Sequence, residues 1–233
     1  MSRALALGLA CALAACTGDL DPAWQLDHTR IIAVRATPPG IAAGQTSTLD
    51  ALLGTKGAPT RVAPPEQATV TSPASLADAL VHDGDAWHVV APSEDRLAAA
   101  RTQMGLAADA PVPLEIGVAY AGQTLVATKV VFLGAAADNP VLPAVTINGQ
   151  PAPAEGAEIT IDKKADKNPV AVAADNRQFD VEWLTSCGTM HDFDLPNAYV
   201  KIEGDDPLTG EFGVVLRNTM GGVVWQLWPI QAQ

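Results

Sequence analysis

The sequence predicts a mainly all-β protein with two antiparallel β-sandwich domains, the first of which carries one short inserted helix. Two observations support this fold class. Apolar and polar residues alternate along many short segments, as they do in strands that bury one face. Glycine and proline residues, 19 and 18 in number, separate these segments at intervals of about ten residues, which is typical of sandwiches and barrels.

The strands expected in the first domain include two early ones and a late one, besides strands near residues 68–71, 86–91 and 114–120. Residues 29–37 alternate weakly, and Pro38 and Pro39 end this strand because proline cannot donate to a strand ladder. Residues 46–53 predict a second strand, whose shared face carries Ser47, Leu49, Ala51 and Leu53. Residues 125–133 are apolar on both faces, which predicts a strand in the centre of a sheet.

The helix is expected near residues 94–104. Ser93 can cap its N-terminus, and Gly105 suits the left-handed position that commonly ends a helix. Its apolar stripe would contain Leu97, Ala100 and Met104. Because an isolated helix of this length is marginal in water, we expect it to pack on the sheet.

The second domain has the clearest alternation. Asn148-Gly149 predicts a hairpin with a type I′ turn. The inward face of residues 179–184 is expected to hold Phe179, Val181 and Trp183. The core face of the last strand is expected to hold Val223, Trp225 and Leu227. Trp228 would then lie on the opposite face, toward a partner or the first domain.

The first 16 residues have the marks of an export signal. Arg3 supplies a positive charge, and residues 4–15 form an apolar run that is shorter than the roughly 20 residues of a membrane span. The run ends in Leu13-Ala14-Ala15-Cys16, which resembles the bacterial lipobox. That resemblance implies cleavage before Cys16 and acylation of this cysteine. An ordinary secretory signal is the alternative.

The chain therefore divides into four parts. Residues 1–15 would be a lipoprotein signal peptide, and residues 16–28 an acylated cysteine with its tether. The first domain would span residues 29–135 and the second residues 141–233, with the break at Asp138-Asn139-Pro140. Each domain is close to the size of an immunoglobulin-like (Ig-like) sandwich, about 100 residues.

Short motifs in both domains carry a family resemblance. The first domain contributes residues 30–39 (RIIAVRATPP) and Ala43-Gly44-Gln45. The second contributes Asp138-Asn139-Pro140, residues 183–189 (WLTSCGT) and residues 215–225 (VLRNTMGGVVW). With these motifs the chain resembles the two-part Ig-like region of uncharacterised lipoproteins from Gram-negative bacteria. The resemblance implies a fold and no activity, and the chain departs from the Ig pattern because it has no Ig-type cysteine pair.

The charge of the chain limits its partners. The formal net charge is −12, and lysine and arginine do not cluster, which argues against nucleic acid. Because the same charge would repel anionic lipids, membrane contact is expected through the acyl chains alone. Thr17, rather than aspartate, follows Cys16, and by resemblance to the usual sorting rule this favours the outer over the inner membrane. The remaining partner would be an unknown envelope protein or polysaccharide.

One stretch concentrates reactive side chains. After processing, Cys187 would be the only unmodified cysteine, so no intramolecular disulfide is expected. Cys187 and His191 could serve an envelope hydrolase as nucleophile and base, but such pairs usually come from distant parts of a chain, and we expect a packed thiol instead. A weak calcium site is the other alternative, with carboxylates from Asp192, Asp194, Glu203, Asp205 and Asp206. We expect no metal and no cofactor.

The sequence thus predicts a lipid-anchored protein of the cell envelope that is not an enzyme. It would act as a binding or structural module. Loops or sheet faces would supply the contacts, because a sandwich presents both well.

Overall fold

Strands from the two halves of the chain form separate sheets. The structure is a computed structural model that describes residues 22–233. Strands between residues 30 and 133 form two sheets, here called the N-terminal sandwich, and strands between residues 145 and 232 form two others, the C-terminal sandwich. The expected signal residues Leu13, Ala14, Ala15 and Cys16 lie outside the described residues.

The N-terminal sandwich has one sheet of order β1-β3-β7-β6, with β4 also paired to β3, and a second sheet of order β2-β9-β8-β5. An α-helix and a short 3-10 helix connect some of these strands. The elements are β1 (Arg30–Thr37), β2 (Gly40–Ile41), β3 (Thr46–Thr55), β4 (Ala58–Ala63), β5 (Gln67–Ser72), the 3-10 helix (Ala74–Ala79), β6 (Leu80–Asp83), β7 (Ala86–Val90), α1 (Glu94–Met104), β8 (Val112–Tyr120) and β9 (Leu125–Leu133).

The C-terminal sandwich has sheets of order β11-β10-β13-β16-β15 and β12-β18-β17-β14. The Asn148-Gly149 turn joins its first two strands with positive φ at both residues, as a type I′ turn requires. The strands are β10 (Val145–Ile147), β11 (Gln150–Pro151), β12 (Ile159–Ile161), β13 (Asn168–Val172), β14 (Phe179–Thr185), β15 (Thr189–His191), β16 (Asn197–Lys201), β17 (Thr209–Asn218) and β18 (Val223–Ala232).

Both sandwiches have the strand order of an Ig domain. When strands are lettered along the chain, the sheets of an Ig domain are ABED and CFG. The N-terminal sandwich places β1, β3, β7 and β6 in the first sheet and β5, β8 and β9 in the second, and the C-terminal sandwich repeats this with β10, β13, β16 and β15 against β14, β17 and β18. In each, a short extra strand, β2 or β12, pairs in parallel with the last strand. The predicted fold class is confirmed.

Helix α1 lies between β7 and β8, at the residues expected. Gly105 ends it in the left-handed conformation, with φ of 67°. Leu97 and Ala100 are buried against the sandwich. Arg101 is also buried, where it pairs with Glu94 and donates to the backbone oxygen of Ala110 at 2.7 Å.

The inner faces of the sandwiches follow the alternation for the most part. The face of β3 that carries Ser47, Leu49, Ala51 and Leu53 is buried. In the C-terminal sandwich, Trp183 is fully buried and stacks on Phe212, with ring centroids 5.6 Å apart. Trp183 lies on β14, the strand on which antibody domains carry their buried tryptophan. Among residues 22–233 the only cysteine is the free Cys187, so packing rather than a disulfide within this part of the chain closes the core around Trp183.

The outer faces of two sheets pack on each other. Side chains from β1 and β3 meet side chains from β14, β17 and β18 in a third apolar cluster, which we call the junction cluster. These residues point away from the two sandwich cores and would be solvent-exposed if either sandwich stood alone. The junction cluster consists of Leu26, Ile32, Ala33, Leu52, Leu184, Val215 and Val223.

The prediction of which face of β18 points into the core was wrong. Trp228 is 1% exposed and lies in the core of the C-terminal sandwich, where its Nε1 donates to the backbone oxygen of Pro153 at 3.0 Å. Val223, Trp225 and Leu227 face the junction cluster instead. Because the N-terminal sandwich covers the outer face of β18, both faces of this strand are apolar, and alternation alone could not tell them apart.

Two further expectations need correction. Residues 125–133 form β9, which pairs with β8 along its length but with β2 only at Phe132 and Leu133, so most of it is an edge rather than a central strand. The expected tether over residues 16–28 differs in its described part. Leu26 is 2% exposed within the junction cluster, and Gln25 forms a parallel bridge with Thr185 on the edge of β14.

The two tryptophans of β18 test this assignment of faces. We expect Trp228→Ala to lower the free energy of unfolding of the C-terminal sandwich by about 3–5 kcal/mol, as the loss of a core aromatic does. Trp225→Ala should cost only about 1 kcal/mol, because this side chain is half-buried at the junction. Urea unfolding followed by circular dichroism would measure both. If Trp225→Ala lowered the free energy of unfolding as much as Trp228→Ala, or more, this assignment of faces would be contradicted.

Candidate functional site

Cys187 is a packed thiol in the core of the C-terminal sandwich. It is fully buried, and its backbone N–H donates to Thr185 Oγ1 at 3.0 Å. Burial raises the pKa of the Cys187 thiol to about 11; a backbone hydrogen bond from Ala232 opposes this, and the charge of Asp206 adds to it. At neutral pH the thiol therefore stays protonated, which is unsuitable for a nucleophile.

His191 does not serve Cys187. Its ring lies on β15 and stacks on Tyr199, with centroids 4.6 Å apart and planes 7° from parallel. Its Nε2 lies 3.8 Å from a carboxylate oxygen of Glu203. No hydrogen bond joins Cys187 to His191 within the described chain, so the arrangement gives the hydrolase alternative no support.

The acidic side chain of Asp206 in the same sandwich is hydrogen-bonded to neighbouring groups of the protein. Asp206 accepts a hydrogen bond from Thr189 Oγ1 at 3.0 Å and another from the backbone N–H of Glu203 at 2.9 Å. Across residues 22–233, no three histidine, cysteine, aspartate or glutamate side chains converge as metal ligands would. The five carboxylates considered for calcium are therefore not assembled into a site.

The strongest candidate for a functional site is the junction between the sandwiches. The junction cluster supplies its apolar centre, and polar contacts surround it. Arg217 donates to the backbone oxygen of Ile32 at 2.8 Å and pairs with Glu182 at 2.8 Å. Arg35 stacks over Trp225, 3.9 Å from the ring centroid, while it forms two hydrogen bonds with Asp50.

Two more contacts tie the sandwiches together away from the centre. Glu211 accepts both the backbone N–H and the hydroxyl of Thr60, at 2.8 and 2.6 Å. Asn139, in the connection between the sandwiches, donates to the backbone oxygen of Ala36 at 2.9 Å and accepts from the N–H of Val223 at 2.8 Å. With an apolar centre and contacts at several points of the rim, the two sandwiches are held in one relative orientation.

A groove of 570 Å³ opens beside the junction cluster, and we call it the junction groove. Residues 30–34 of β1 form one wall and residues 125–130 of β9 form the other, because these two strand edges are not paired with each other. Arg217, Gly221 and Val223 close one side from the C-terminal sandwich. The groove therefore requires both sandwiches.

Lys129 is the most unusual side chain in this groove. It lies on the inward face of β9, is 6% exposed, and donates from its ammonium group to the backbone oxygen of Gly221. The pKa of Lys129 is lowered to about 8, mainly by burial and also by repulsion from Arg217, while attraction to Asp50 offsets part of both effects. A buried ammonium with a shifted pKa in a groove is a common feature of functional sites.

Gly221 makes the contact with Lys129 possible. It turns the β17–β18 hairpin with φ of 74°, and a Cβ atom at this position would lie 3.3 Å from the backbone oxygen of Val130. A larger residue would hold the hairpin away from β9. The sequence signal for this groove is a single lysine at an inward position of β9, a strand that is otherwise uncharged.

Comparisons with known proteins identify no family and no curated relative of this chain. Solved structures that match include the N-terminal Ig1-2 module of the Drosophila receptor protein tyrosine phosphatase DLAR, at 9% identity, a TM-score of 0.29, and coverage of 86% of this chain and 98% of that one. The two tandem V-type regions of a v-region-containing chitin binding protein match at 10% identity, a TM-score of 0.33, and coverage of 86% and 99%.

A third match is the fibronectin(III)-like modules of Clostridium thermocellum CbhA, at 12% identity and a TM-score of 0.26, with coverage of 86% of this chain and 94% of that chain. These values are too low to carry an inference about ligands or partners. The Ig-like assignment rests on the strand order of the two sandwiches. Within residues 22–233, no helix has the length and apolar character needed to cross a bilayer.

Lys129 gives the folding free energy a pH dependence. Its folded pKa of about 8 lies below the ordinary value of 10.5, so between these pH values the unfolded chain binds more protons than the folded chain. Stability from this group therefore rises with pH across that window. We expect the stability difference between wild type and Lys129→Met to shift by about 3 kcal/mol in favour of wild type from pH 7 to pH 10.5.

Urea unfolding of both chains at a series of pH values would measure this shift. The raised pKa values of Cys187 and Tyr120 lower stability at high pH in both chains, so they cancel in the difference. A difference that does not change with pH would mean that Lys129 is solvated in the folded protein.

Proposed function

We propose that this chain is a lipid-anchored protein of the cell envelope whose two Ig-like domains act together as a non-enzymatic binding or structural module. The Leu13-Ala14-Ala15-Cys16 motif supports the anchor, since the residue types and order are those of a lipobox. The buried thiol of Cys187 and the absence of a converging acid, base and nucleophile in its described surroundings support a role without catalysis.

The observation that carries the proposal is the rigid junction between the two sandwiches. Two domains that move freely relative to each other share few contacts, whereas these two sandwiches share a buried apolar cluster and a groove lined by residues of both. Such an arrangement presents a composite surface with a fixed shape, which is what a binding or scaffolding module uses.

The attachment of residues 22–28 to the junction also bears on the anchor. Gln25 and Leu26 join the chain to both sandwiches at this point. From Cys16 to Pro22 the chain can extend by at most about 20 Å. An acylated Cys16 would therefore hold the junction, rather than the far end of either sandwich, close to the membrane.

The proposed location is the outer membrane. Thr17, rather than aspartate, follows Cys16, which fits sorting away from the inner membrane. The net charge of −12 would keep the folded part off anionic lipid, so the acyl chains would provide the membrane contact. The proposed partner is a protein or polysaccharide of the envelope, not a nucleic acid.

Substitution of Cys16 tests the anchor. Cells grown with an alkyne-tagged palmitate should label the wild-type chain, and the labelled protein should stay with membranes after a carbonate wash, because several acyl chains give stable attachment. Cys16→Ser should abolish the label and leave either a soluble chain or an uncleaved precursor. Cys11→Ser, a change within the apolar run of the signal, should behave as wild type. A wild-type chain that is unlabelled and soluble in the periplasm would refute the anchor.

A further inference from the structure

The wall of the junction groove is both apolar and cationic. Of its 14 lining residues, ten are apolar or glycine, one is Thr128, and three are cationic: Arg30, Lys129 and Arg217. None of these lining residues is acidic, although the chain carries 26 acidic and only 14 basic residues. A wall of this composition complements a molecule with an apolar body and a negative charge at one end.

We propose that the junction groove binds a single-chain anionic amphiphile of the fatty-acid class. The carboxylate would lie at Lys129, whose ammonium group keeps two hydrogens for a ligand after it donates to Gly221. The acyl chain would lie between the apolar walls of β1 and β9. This ligand deepens the proposed binding role and rests on it, but it requires neither the anchor nor the processing of the N-terminus.

The electrostatics of Lys129 favour a carboxylate over a neutral head group. A buried ammonium loses hydration that an opposite charge at hydrogen-bonding distance restores. Arg217 lies close enough to Lys129 to act on its charge, and its own charge is largely balanced by the ion pair with Glu182 at 2.8 Å, so Lys129 is the cation that remains for a ligand. The groove volume of 570 Å³ falls within the roughly 300–1,000 Å³ of small-molecule sites.

A structural role is the competing explanation for Lys129. An inward-pointing charge on an edge strand discourages pairing with other chains, and the bond to Gly221 helps to hold the hairpin on β9. In that case the groove would take up no amphiphile, and the charge of Lys129 would have no effect on one.

Photochemical labelling separates the two explanations. The full-length chain, in membranes isolated from expressing cells, is irradiated with a palmitic acid analogue that carries a diazirine and an alkyne, and the labelled residues are mapped by mass spectrometry. We expect labels within residues 30–34 and 125–130. Lys129→Met should raise the probe concentration for half-maximal labelling by about tenfold or more, because a charge-assisted hydrogen bond is lost.

Matched variants distinguish charge, groove and folding. Lys129→Arg should keep the labelling, and Lys164→Met, which alters an exposed lysine, should leave it unchanged. Ala127→Trp, which fills the groove while Lys129 is retained, should abolish it. Cys16→Ser, irradiated in the cell fraction that contains it, soluble or membrane, should be labelled in the groove as wild type is, so a failed anchor would not count against the ligand. Absence of groove labelling in wild type, equal labelling of Lys129→Met, or equal labelling by a neutral fatty-alcohol probe would overturn the proposal.

Discussion

The junction cluster is the contact on which the rest of this structure depends. Its seven buried residues come from the outer faces of both sandwiches and from the segment that precedes the first strand. In separate domains these faces would be exposed to solvent, so their apolar side chains favour the arrangement in which the two sandwiches pack on each other. The groove, the edge contact of Lys129 with Gly221 and the position of the N-terminal segment all follow from this stacking.

Alternation in the sequence predicted the parts of the fold in which one face of a strand is wet. The strand at residues 46–53, helix α1, the Asn148-Gly149 turn and the buried position of Trp183 all follow from local patterns. The prediction was wrong for β18, because the N-terminal sandwich covers its second face and leaves both faces apolar. The prediction of a central strand was also wrong for β9, because most of its free edge faces β1 across the groove without pairing with it.

The candidate site was largely beyond the reach of sequence patterns. Cys187 could be predicted as a packed thiol, because the alternation of β14 continues into it and its neighbours are acidic. The junction groove could not be found this way, since its walls are almost 100 residues apart in sequence and its end comes from the other sandwich. The single local signal was Lys129, a charge at an inward position of an apolar strand, and its meaning depends on where Gly221 and Arg217 lie.

An Ig-like core without a disulfide places more weight on packing. In the C-terminal sandwich, the rings of Trp183, Phe212 and Trp228 form a continuous aromatic row, with centroid distances of 5.6 and 5.8 Å. Aromatic pairs at such distances stabilise a core beyond the apolar area that they bury. Because the inner face of the β12-β18-β17-β14 sheet packs into this core, its outer face is free to contribute Leu184, Val215 and Val223 to the junction cluster.

The distance between the two sandwiches tests the central claim most directly. Spin labels would be placed at Asp85→Cys, in the β6–β7 turn, and at Lys164→Cys, in the loop after β12, in a chain with Cys11 and Cys16 replaced by serine. Pulsed electron resonance would report the distance between them, with Cys187 too buried to react. A rigid junction predicts one narrow distance distribution in wild type and a broad one in Val215→Asp, which places a charge in the junction cluster and leaves both sandwich cores intact. A broad distribution in wild type, or no change in Val215→Asp, would contradict the claim that this cluster holds the sandwiches together.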